Sequence, residues 1–265
     1  MADILDTIVA YKRKEVELFK QELPYAKLEE RLNIIMGARP VSMAESLRNS
    51  DTGIIAEFKR KSPSKGWFNK NASVRHICRS YEANGATALS ILTDINFFGG
   101  NNFDLRDAHL AKVKLPKLYK NFIIDEYQLL QARINKANAV LLIAACLSKE
   151  ECRHLMAKAH DLGMEVLLEM HSESETEYAE LEPDMCGINN RNLGTFDTDV
   201  NNSVQLASRL PENIVKVSES GLSDPATVKM LRSLGYKGFL MGEHFMRTEE
   251  PGIALGQFIA QLQYC

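Results

Sequence analysis

The sequence predicts an α/β fold, one (β/α)8 TIM barrel preceded by an N-terminal helical extension. Short runs rich in Ile, Val and Leu recur at spacings of roughly 20–35 residues, with polar, helix-like stretches between them. The runs are almost continuously apolar, which is typical of strands covered on both faces. The chain has 265 residues, and a barrel of eight βα units occupies about 250 residues. A doubly wound sheet is the alternative, but no G-x-G-x-x-G turn follows the first run.

The predicted strands lie along the whole chain after residue 52. In order they are Gly53–Phe58, Thr87–Leu92, Pro116–Tyr119, Ala139–Ala144, Glu165–Glu169, Met185–Ile188, Ile214–Ser218 and Gly238–Met241. Helix boundaries between them follow from capping residues, such as Ser148 before Lys-Glu-Glu and Gly163 before the next strand. Residues 1–50 predict two or three helices that are too polar for a core of their own. We therefore expect an extension packed on the barrel, within one domain spanning residues 1–265.

Composition and charge argue against several kinds of partner. Hydrophobic residues make up 45% of the chain, the net charge is −3, and acidic and basic residues are interspersed. Because no basic face stands out, we expect no nucleic-acid partner. No apolar run approaches the roughly 20 residues that cross a bilayer, and the N-terminal residues lack the apolar core of a signal peptide. We expect a cytoplasmic monomer that does not contact membranes.

The cysteines and histidines do not predict a metal site. The cysteines are scattered, odd in number and without a C-x-x-C pair, which argues against a disulfide framework and against zinc; they are Cys78, Cys146, Cys152, Cys186 and Cys265. The six histidines form no H-E-x-x-H motif, and most of them are predicted to lie in helices. Only His244 is singled out, because it follows the last predicted strand, although a solvated histidine is the more common case.

Polar side chains follow the predicted strands at the end where barrel enzymes carry their chemistry. They are Glu57, Lys59, Lys120, Glu169, Asn189, Arg191, Glu219, Ser220 and Glu243. Any one charge at a strand end is as often solvated as functional. For several strands together solvation is a poor explanation, because an unpaired buried charge is strongly unfavourable. We therefore expect the lysines and glutamates to pair across the barrel mouth, where pKa values shift most.

Two short turns after the last strands predict a phosphate site. Ser220-Gly221 and Gly242-Glu243 occupy the positions where barrels bind phosphate through backbone amides. Lys59 would add a positive side chain there. The alternative is a pair of tight turns without a ligand. Phe97-Phe98, after the second strand, would line an aromatic pocket or form a hydrophobic cap over the barrel.

Sequence motifs spread over nearly the whole chain resemble those of the indole-3-glycerol phosphate synthase family. They are IIAEFKRKSPSKG (54–66), ALSILTD (88–94), KNFIIDEYQ (120–128), LLIAACL (141–147), LGMEVLLE (162–169), GINNRNL (187–193), VSESGL (217–222) and FLMGEHFMR (239–247). The resemblance implies a small phosphorylated aromatic amine as substrate, 1-(2-carboxyphenylamino)-1-deoxyribulose 5-phosphate. It implies ring closure with loss of CO₂ and water, in tryptophan biosynthesis, without a cofactor or a metal.

The resemblance also implies a role for each matching residue. Lys120 aligns with the family's general acid and Glu169 with a second acid–base group, while Glu57 orients the catalytic groups and Lys59 lies near the phosphate with a role in proton transfer. The implied substrate-binding residues are Asn189, Arg191, Glu219, Ser220, Phe98, Phe122 and Ser62. The implied phosphate-binding residues are Lys59, Ser220, Gly221, Gly242 and Glu243. Phe98 and Phe122 are expected to flank the anthranilate ring.

Three positions depart from the family pattern, and two other functions stay open. Asn121 and Asn192 stand where the family commonly has aspartate, and His244 stands where a small residue is usual. The two asparagines remove negative charge near the site, which would alter the pKa of Lys120. One alternative function is another phosphate-binding barrel enzyme, such as a phosphoribosylanthranilate isomerase, which would need a cysteine and an aspartate at strand ends. The other is a barrel that binds a phosphorylated metabolite without catalysis.

Overall fold

The computed structural model describes residues 4–35, 40–192 and 194–264. Leu193, the last residue of the GINNRNL motif, lies outside them. Parallel strands close into a barrel, in the spatial order β1-β8-β7-β6-β5-β4-β3-β2. The strands are β1 (Ile54–Phe58), β2 (Ala88–Leu92), β3 (Lys117–Lys120), β4 (Ala139–Ile143), β5 (Glu165–Met170), β6 (Met185–Asn189), β7 (Val215–Glu219) and β8 (Tyr236–Met241).

The predicted TIM barrel is confirmed, and each predicted strand is present with small changes at its ends. The fourth strand ends one residue earlier than predicted, because Ala144 begins a 3-10 turn, Ala144–Cys146. The last strand begins two residues earlier, at Tyr236, and its register against β7 shifts between Tyr236 and Gly238. Such a bulge interrupts the regular pairing, which explains why the pattern before Gly238 does not predict a strand.

Helices follow the strands and cover the outside of the barrel. They are α4 (Val74–Ala83), α5 (Asn102–Leu110), α6 (Glu126–Ile134), α7 (Lys149–Asp161), α8 (Asn201–Leu206), α9 (Pro225–Ser233), α10 (Glu243–Met246) and α11 (Pro251–Tyr264), preceded in the extension by α1 (Ile4–Glu22), α2 (Tyr25–Ile35) and α3 (Met43–Arg48). The predicted capping box at Ser148 is present at the start of α7. No helix within the described residues combines the length and apolar character needed to cross a membrane.

The barrel strands carry two separate apolar layers. Side chains such as Ile55, Leu118 and Leu167 fill the barrel interior. Their neighbours in sequence, such as Ile54, Tyr119 and Leu168, face the covering helices. Because successive side chains of a strand point to opposite faces, burial on both faces accounts for the continuous apolar runs.

The N-terminal extension packs on the barrel at several places. Residues Ile4, Leu5 and Ile8 of α1 border the cavity at the mouth. At the other end, Met43 and Leu47 of α3 join the interior layer and are fully buried. The extension therefore lines the mouth with one helix and closes the bottom with another.

Candidate active site

A cavity of about 1000 Å³ opens at the carboxyl ends of the barrel strands. Parallel strands direct the polar residues that follow them to this end. All residues assigned from the sequence border the cavity except Glu219: Glu57, Lys59, Ser62, Phe98, Lys120, Phe122, Glu169, Asn189, Arg191, Ser220, Gly221, Gly242 and Glu243. The structure thus gathers residues from most of the chain into one site.

The centre of the site is Lys120, which lies among three carboxylates from three other strands. Its Nζ is 2.8 Å from Glu219 Oε2, 3.5 Å from Glu57 Oε2 and 4.0 Å from Glu169 Oε2. Lys59 Nζ lies 2.7 Å from the other oxygen of Glu57. The predicted pairing of lysines and glutamates across the mouth is therefore present.

These contacts keep Lys120 protonated. Burial by itself lowers the pKa of the Lys120 ammonium, but the charges of Glu219, Glu57 and Glu169 raise it more, so the pKa ends well above its ordinary value. For Glu57, burial raises the pKa, but Lys59 and Lys120 together bring it below its ordinary value. At neutral pH Lys120 is therefore an ammonium and Glu57 is a carboxylate.

The remaining two carboxylates differ in charge, although both are buried. Burial raises the pKa of Glu219 to about 7; Lys120 only partly offsets this effect, and the negative charge of Glu169 adds to it. Burial also raises the pKa of Glu169, but His171 and Lys120 outweigh burial and lower the pKa to about 2. At neutral pH Glu169 is therefore ionised, whereas Glu219 is partly protonated.

Two glycines make room for these carboxylates. A Cβ atom on Gly187, in β6, would collide with Glu219 Oε1. A Cβ atom on Gly242, after β8, would collide with Glu57 Oε1. Gly242 is predicted from the sequence to belong to a phosphate turn, and the structure adds a second reason for glycine there, which is the space taken by Glu57.

The predicted phosphate side of the cavity contains strained backbone and several cations. Ser220 and Gly221 both have positive φ, 69° and 72°; such a conformation at a non-glycine residue is sparsely populated and is found often at binding sites. Glu243 forms ion pairs with Arg191 at 3.4 Å and with Arg247 at 2.8 Å. The negative charge of Glu243 is therefore compensated by two guanidinium groups.

The aromatic residues form one wall of the cavity. The rings of Phe98 and Phe122 contact each other, with centroids 5.9 Å apart and planes tilted by 33°. Phe98 lies on the loop after β2, where Asp94 Oδ1 accepts hydrogen bonds from the amides of Phe97 and Phe98. The two phenylalanines are therefore neighbours on one side of the cavity. Their rings are too close together to enclose a substrate ring between them, so they would contact it from one side.

Two more assigned residues have contacts that suit substrate binding. Asn189 Nδ2 donates to Glu169 Oε1 at 3.1 Å, and Asn189 Oδ1 accepts from the amide of Arg191 at 3.0 Å. Ser62 lies in a short hairpin, Lys61–Ser62 paired with Gly66–Trp67, and its buried hydroxyl has no hydrogen-bond partner among the described residues. A buried hydroxyl without a partner is unfavourable, and Ser62 borders the cavity, where a ligand would supply one.

The three departures from the family pattern lie in different surroundings. Asn121 is buried and donates to Thr93 Oγ1 and to Tyr119 Oη. Asn192 is exposed, and its side chain accepts from the amides of Gly194 and Thr195. The His244 ring is edge-on to Phe245 and Phe258, on the side of α11. Only Asn121 belongs to a buried network next to Lys120.

His171 is not singled out by its sequence pattern, and the structure gives it a place beside the site. It follows β5 and is not helical; its Nε2 lies 3.2 Å from Glu169 Oε1. The spacing Glu-x-His at the end of the predicted strand could have indicated this contact, because alternate residues of a strand share one face. Lys12 of α1 forms a buried ion pair with Asp94 at 2.8 Å, and no local pattern predicts it because the two residues lie 82 positions apart.

The cysteines and acidic residues of the described part of the chain offer no further reactive centre. These residues contain no group of three or more His, Cys, Asp or Glu side chains that could hold a metal ion. Cys78, Cys152 and Cys186 are free thiols and are buried. Burial raises the pKa of the Cys152 thiol to about 11 and that of the Cys186 thiol to about 12, so both stay protonated at neutral pH.

Comparison with known proteins identifies the family. The family model described as indole-3-glycerol phosphate synthase matches residues 5–258. A Bacteroides thetaiotaomicron protein of that name is 55% identical over 263 residues, covering 99% of this chain and 100% of its own. Relatives of the same name from Polaromonas sp. and Bordetella pertussis are 41% and 40% identical, covering 97% and 98% of this chain and 98% and 100% of theirs.

Solved structures with little sequence similarity share the fold. They include 3-hexulose-6-phosphate synthase from Salmonella typhimurium, with 12% identity, and KGPDC from Streptococcus mutans, with 8% identity, each at a TM-score of 0.61. They cover 79% and 80% of this chain, and 99% and 97% of their own chains. At these identities the likeness concerns the barrel alone. The family model spans nearly all of the sequence and a relative is 55% identical over its full length, so the chain belongs to the indole-3-glycerol phosphate synthase family.

Proposed function

We propose that the chain closes the indole ring of 1-(2-carboxyphenylamino)-1-deoxyribulose 5-phosphate with Lys120 as general acid and Glu169 as general base. The ring closure, with loss of CO₂ and water, is the reaction of the family to which the chain belongs. The observation that supports these two roles is the pairing of a buried ammonium with a buried, ionised carboxylate at the wall of one cavity.

Ring closure is the step assigned to Lys120. The aromatic carbon that bears the carboxylate attacks the ribulose carbonyl carbon, and the carbonyl oxygen gains a proton as the new bond forms. CO₂ then leaves the same ring carbon, and its bonding electrons restore the aromatic ring. The raised pKa of Lys120 means that this residue is protonated at neutral pH, so it has the proton that the nascent alkoxide takes.

Dehydration is the step assigned to Glu169. The new hydroxyl takes a proton from Lys59, to which the resemblance assigns a role in proton transfer, and leaves as water, while the neighbouring ring carbon gives a proton to Glu169. A base for that carbon must be ionised, and Glu169 is, because its pKa is held well below neutrality. Lys120 and Glu169 therefore differ in protonation state in the way that separate acid and base roles require.

Binding is assigned to the remaining cavity residues. The backbone of the Ser220-Gly221 and Gly242-Glu243 turns, with Lys59, would hold the phosphate. The wall of Phe98 and Phe122 would pack against the aromatic ring, and the unpaired hydroxyl of Ser62 would donate to the substrate. Holding both ends of the substrate brings the two reacting carbons together, which supplies a large part of the rate acceleration in such a step.

We also infer that the chain works as a cytoplasmic monomer without a nucleic-acid or membrane partner. The net charge of −3 supports the absence of a nucleic-acid partner, and the free thiols of Cys78, Cys152 and Cys186 support a reducing compartment. Size-exclusion chromatography with light scattering tests the oligomeric state.

The function is tested by the fluorescence of indole product formed from the carboxyphenylamino-deoxyribulose phosphate. We expect product with the wild-type chain, and for Lys120→Met a kcat lower by about 10² to 10⁴, with KM changed little, because one general acid contributes on this scale. Lys117→Met is the matched control, since Lys117 is a buried lysine of the same strand whose Nζ donates to Leu115 O, away from the cavity.

Two results would contradict the assignment. Wild-type turnover in a folded Lys120→Met variant would show that Lys120 is not the acid. Substrate binding without product in the wild-type chain would favour a barrel that binds the metabolite without catalysis.

A further inference from the structure

We infer that His171 is a positioning residue for Glu169: as a buried imidazolium between Glu169 and Glu175, it keeps the Glu169 carboxylate negatively charged and directed into the cavity. This inference rests on the proposed role of Glu169 as the base. His171 does not border the cavity formed by the described residues, so it would act through Glu169 and not on the substrate.

The geometry places the imidazole between two carboxylates. Its Nε2 lies 3.2 Å from Glu169 Oε1, its Nδ1 lies 3.5 Å from Glu175 Oε2, and the side chain is only 10% exposed. Neither ring nitrogen makes an aligned hydrogen bond. The two contacts are therefore ion pairs, whose attraction depends on distance and charge more than on angle.

The surrounding residues fix both partners of the imidazole. The amide of His171 donates to Glu175 Oε2 at 2.7 Å, and Ser172 Oγ donates to Glu175 Oε1 at 3.2 Å. The carbonyl of His171 accepts from Asn202 Nδ2 at 3.1 Å. The backbone amide of His171 thus fixes the Glu175 carboxylate, and this carboxylate in turn contacts the imidazole.

His171 is the cation closest to Glu169. Lys120 lies 4.0 Å from the Glu169 carboxylate and is nearer to both Glu219 and Glu57. The charged groups that face Glu169 are Lys120 from β3, Glu219 from β7 and His171, and those that face His171 are Glu169 and Glu175. Burial lowers the pKa of His171, but the two carboxylates outweigh burial and raise it to about 10.

In this arrangement the charge of Glu169 during dehydration does not depend on the proton that Lys120 gives up during ring closure. When Lys120 gives its proton to the carbonyl oxygen, one positive charge near Glu169 is lost. The charge on His171 remains, because Glu175 stabilises it from the side away from the cavity. Glu169 therefore stays ionised for the later removal of the carbon proton.

The test is the pH profile of turnover in His171→Gln. Without the cation, burial raises the pKa of Glu169, so the acidic limb of kcat/KM should move up by several pH units, to about pH 7–8. We expect a kcat lower by about 10-fold to 100-fold at pH 6, partial recovery at pH 8.5, and KM within about 2-fold. Glu175→Gln should shift the limb in the same direction by less. His154→Gln is the control, because His154 is an exposed histidine paired with Glu126.

Two controls separate this inference from the assignment of Glu169. A wild-type profile in His171→Gln, or a loss of activity that is equal at all pH values, would overturn the inference. Glu169→Gln, measured alongside, reports on the base itself: full turnover in that variant would refute the role of Glu169. Imidazole NMR of the wild-type chain is independent of activity, and a His171 ring that titrates near pH 6.5 would overturn the inference in either case.

Discussion

Glu165 and Glu169 lie at opposite ends of one strand, and they differ in what holds them. Both belong to β5, four residues apart, on the face that also carries Leu167 into the barrel interior. At the bottom, Glu165 accepts hydrogen bonds from the amides of Met43 and Ala44, at 2.7 and 2.9 Å, and from Ser42 Oγ. At the mouth, Glu169 contacts Lys120, His171 and Asn189.

The difference shows that partners and surroundings, and not residue type, decide the use of a carboxylate: Glu165 is half-buried and Glu169 is buried. The donors to Glu165 are mostly backbone amides at the start of α3, which cannot change protonation; they fix α3 over the barrel bottom. The donors and cations around Glu169 include two side chains that titrate. A fixed environment suits a structural contact, whereas a titratable one allows a proton to move.

The largest expected effect is the loss of turnover in Glu169→Gln. The amide keeps the shape of the side chain but cannot take a proton, so kcat should fall by about 10² to 10⁴. The melting temperature should change little, because the neutral amide no longer needs ionic partners. Steady-state kinetics and thermal unfolding of the same sample measure both. Retained turnover would show that Glu169 is not the base, and the functional difference between Glu169 and Glu165 would then be refuted.

The second effect is a change of stability with pH that Glu219 causes. Its folded pKa of about 7 lies above its ordinary value of 4.5, so the stability that it contributes is complete below pH 4.5 and is lost as the pH rises through 7. Glu219→Gln mimics the protonated form and lacks this loss. Between pH 5 and pH 8 the variant should therefore gain about 2–3 kcal/mol relative to wild type.

Urea unfolding of both proteins at several pH values measures this difference. The comparison of the two proteins isolates Glu219, because the other groups whose contribution changes in this pH window, such as His160 and His171, are present in both. Parallel stability curves for wild type and variant would mean that Glu219 is already ionised at pH 5.

The fold and the mouth of the barrel can be predicted from the sequence because their signals are local. Each strand is an apolar run, and the polar residues that follow a run must lie at one end of a parallel barrel. Glu57, Lys120 and Glu169 are therefore predicted to lie together from the sequence alone. The family motifs add roles for them, which remain to be tested.

Contacts across long stretches of sequence could not be predicted in this way. Glu165 meets α3 from more than 120 positions away, and the pattern around it does not differ from that of any strand start. The burial of Lys12 against Asp94 is equally invisible, because a lysine on a polar helix suggests a solvated side chain. Tertiary packing determines both contacts, and a local sequence pattern cannot predict it.

The smallest effect is expected at the bottom of β5, in Glu165→Gln. The amide can still accept a hydrogen bond, but it loses the charge that favours a helix N-terminus, and one of its two acceptor positions becomes a donor facing an amide. The free energy of unfolding should fall by about 1–3 kcal/mol, while kcat and KM stay at wild-type values. Ser42→Ala removes both the hydroxyl that donates to Glu165 and the N-cap of α3. This variant should lower the free energy of unfolding by about 1 kcal/mol. A loss of activity in Glu165→Gln without a loss of stability would mean that the two ends of the strand are coupled, and the division between a structural end and a chemical end would fail.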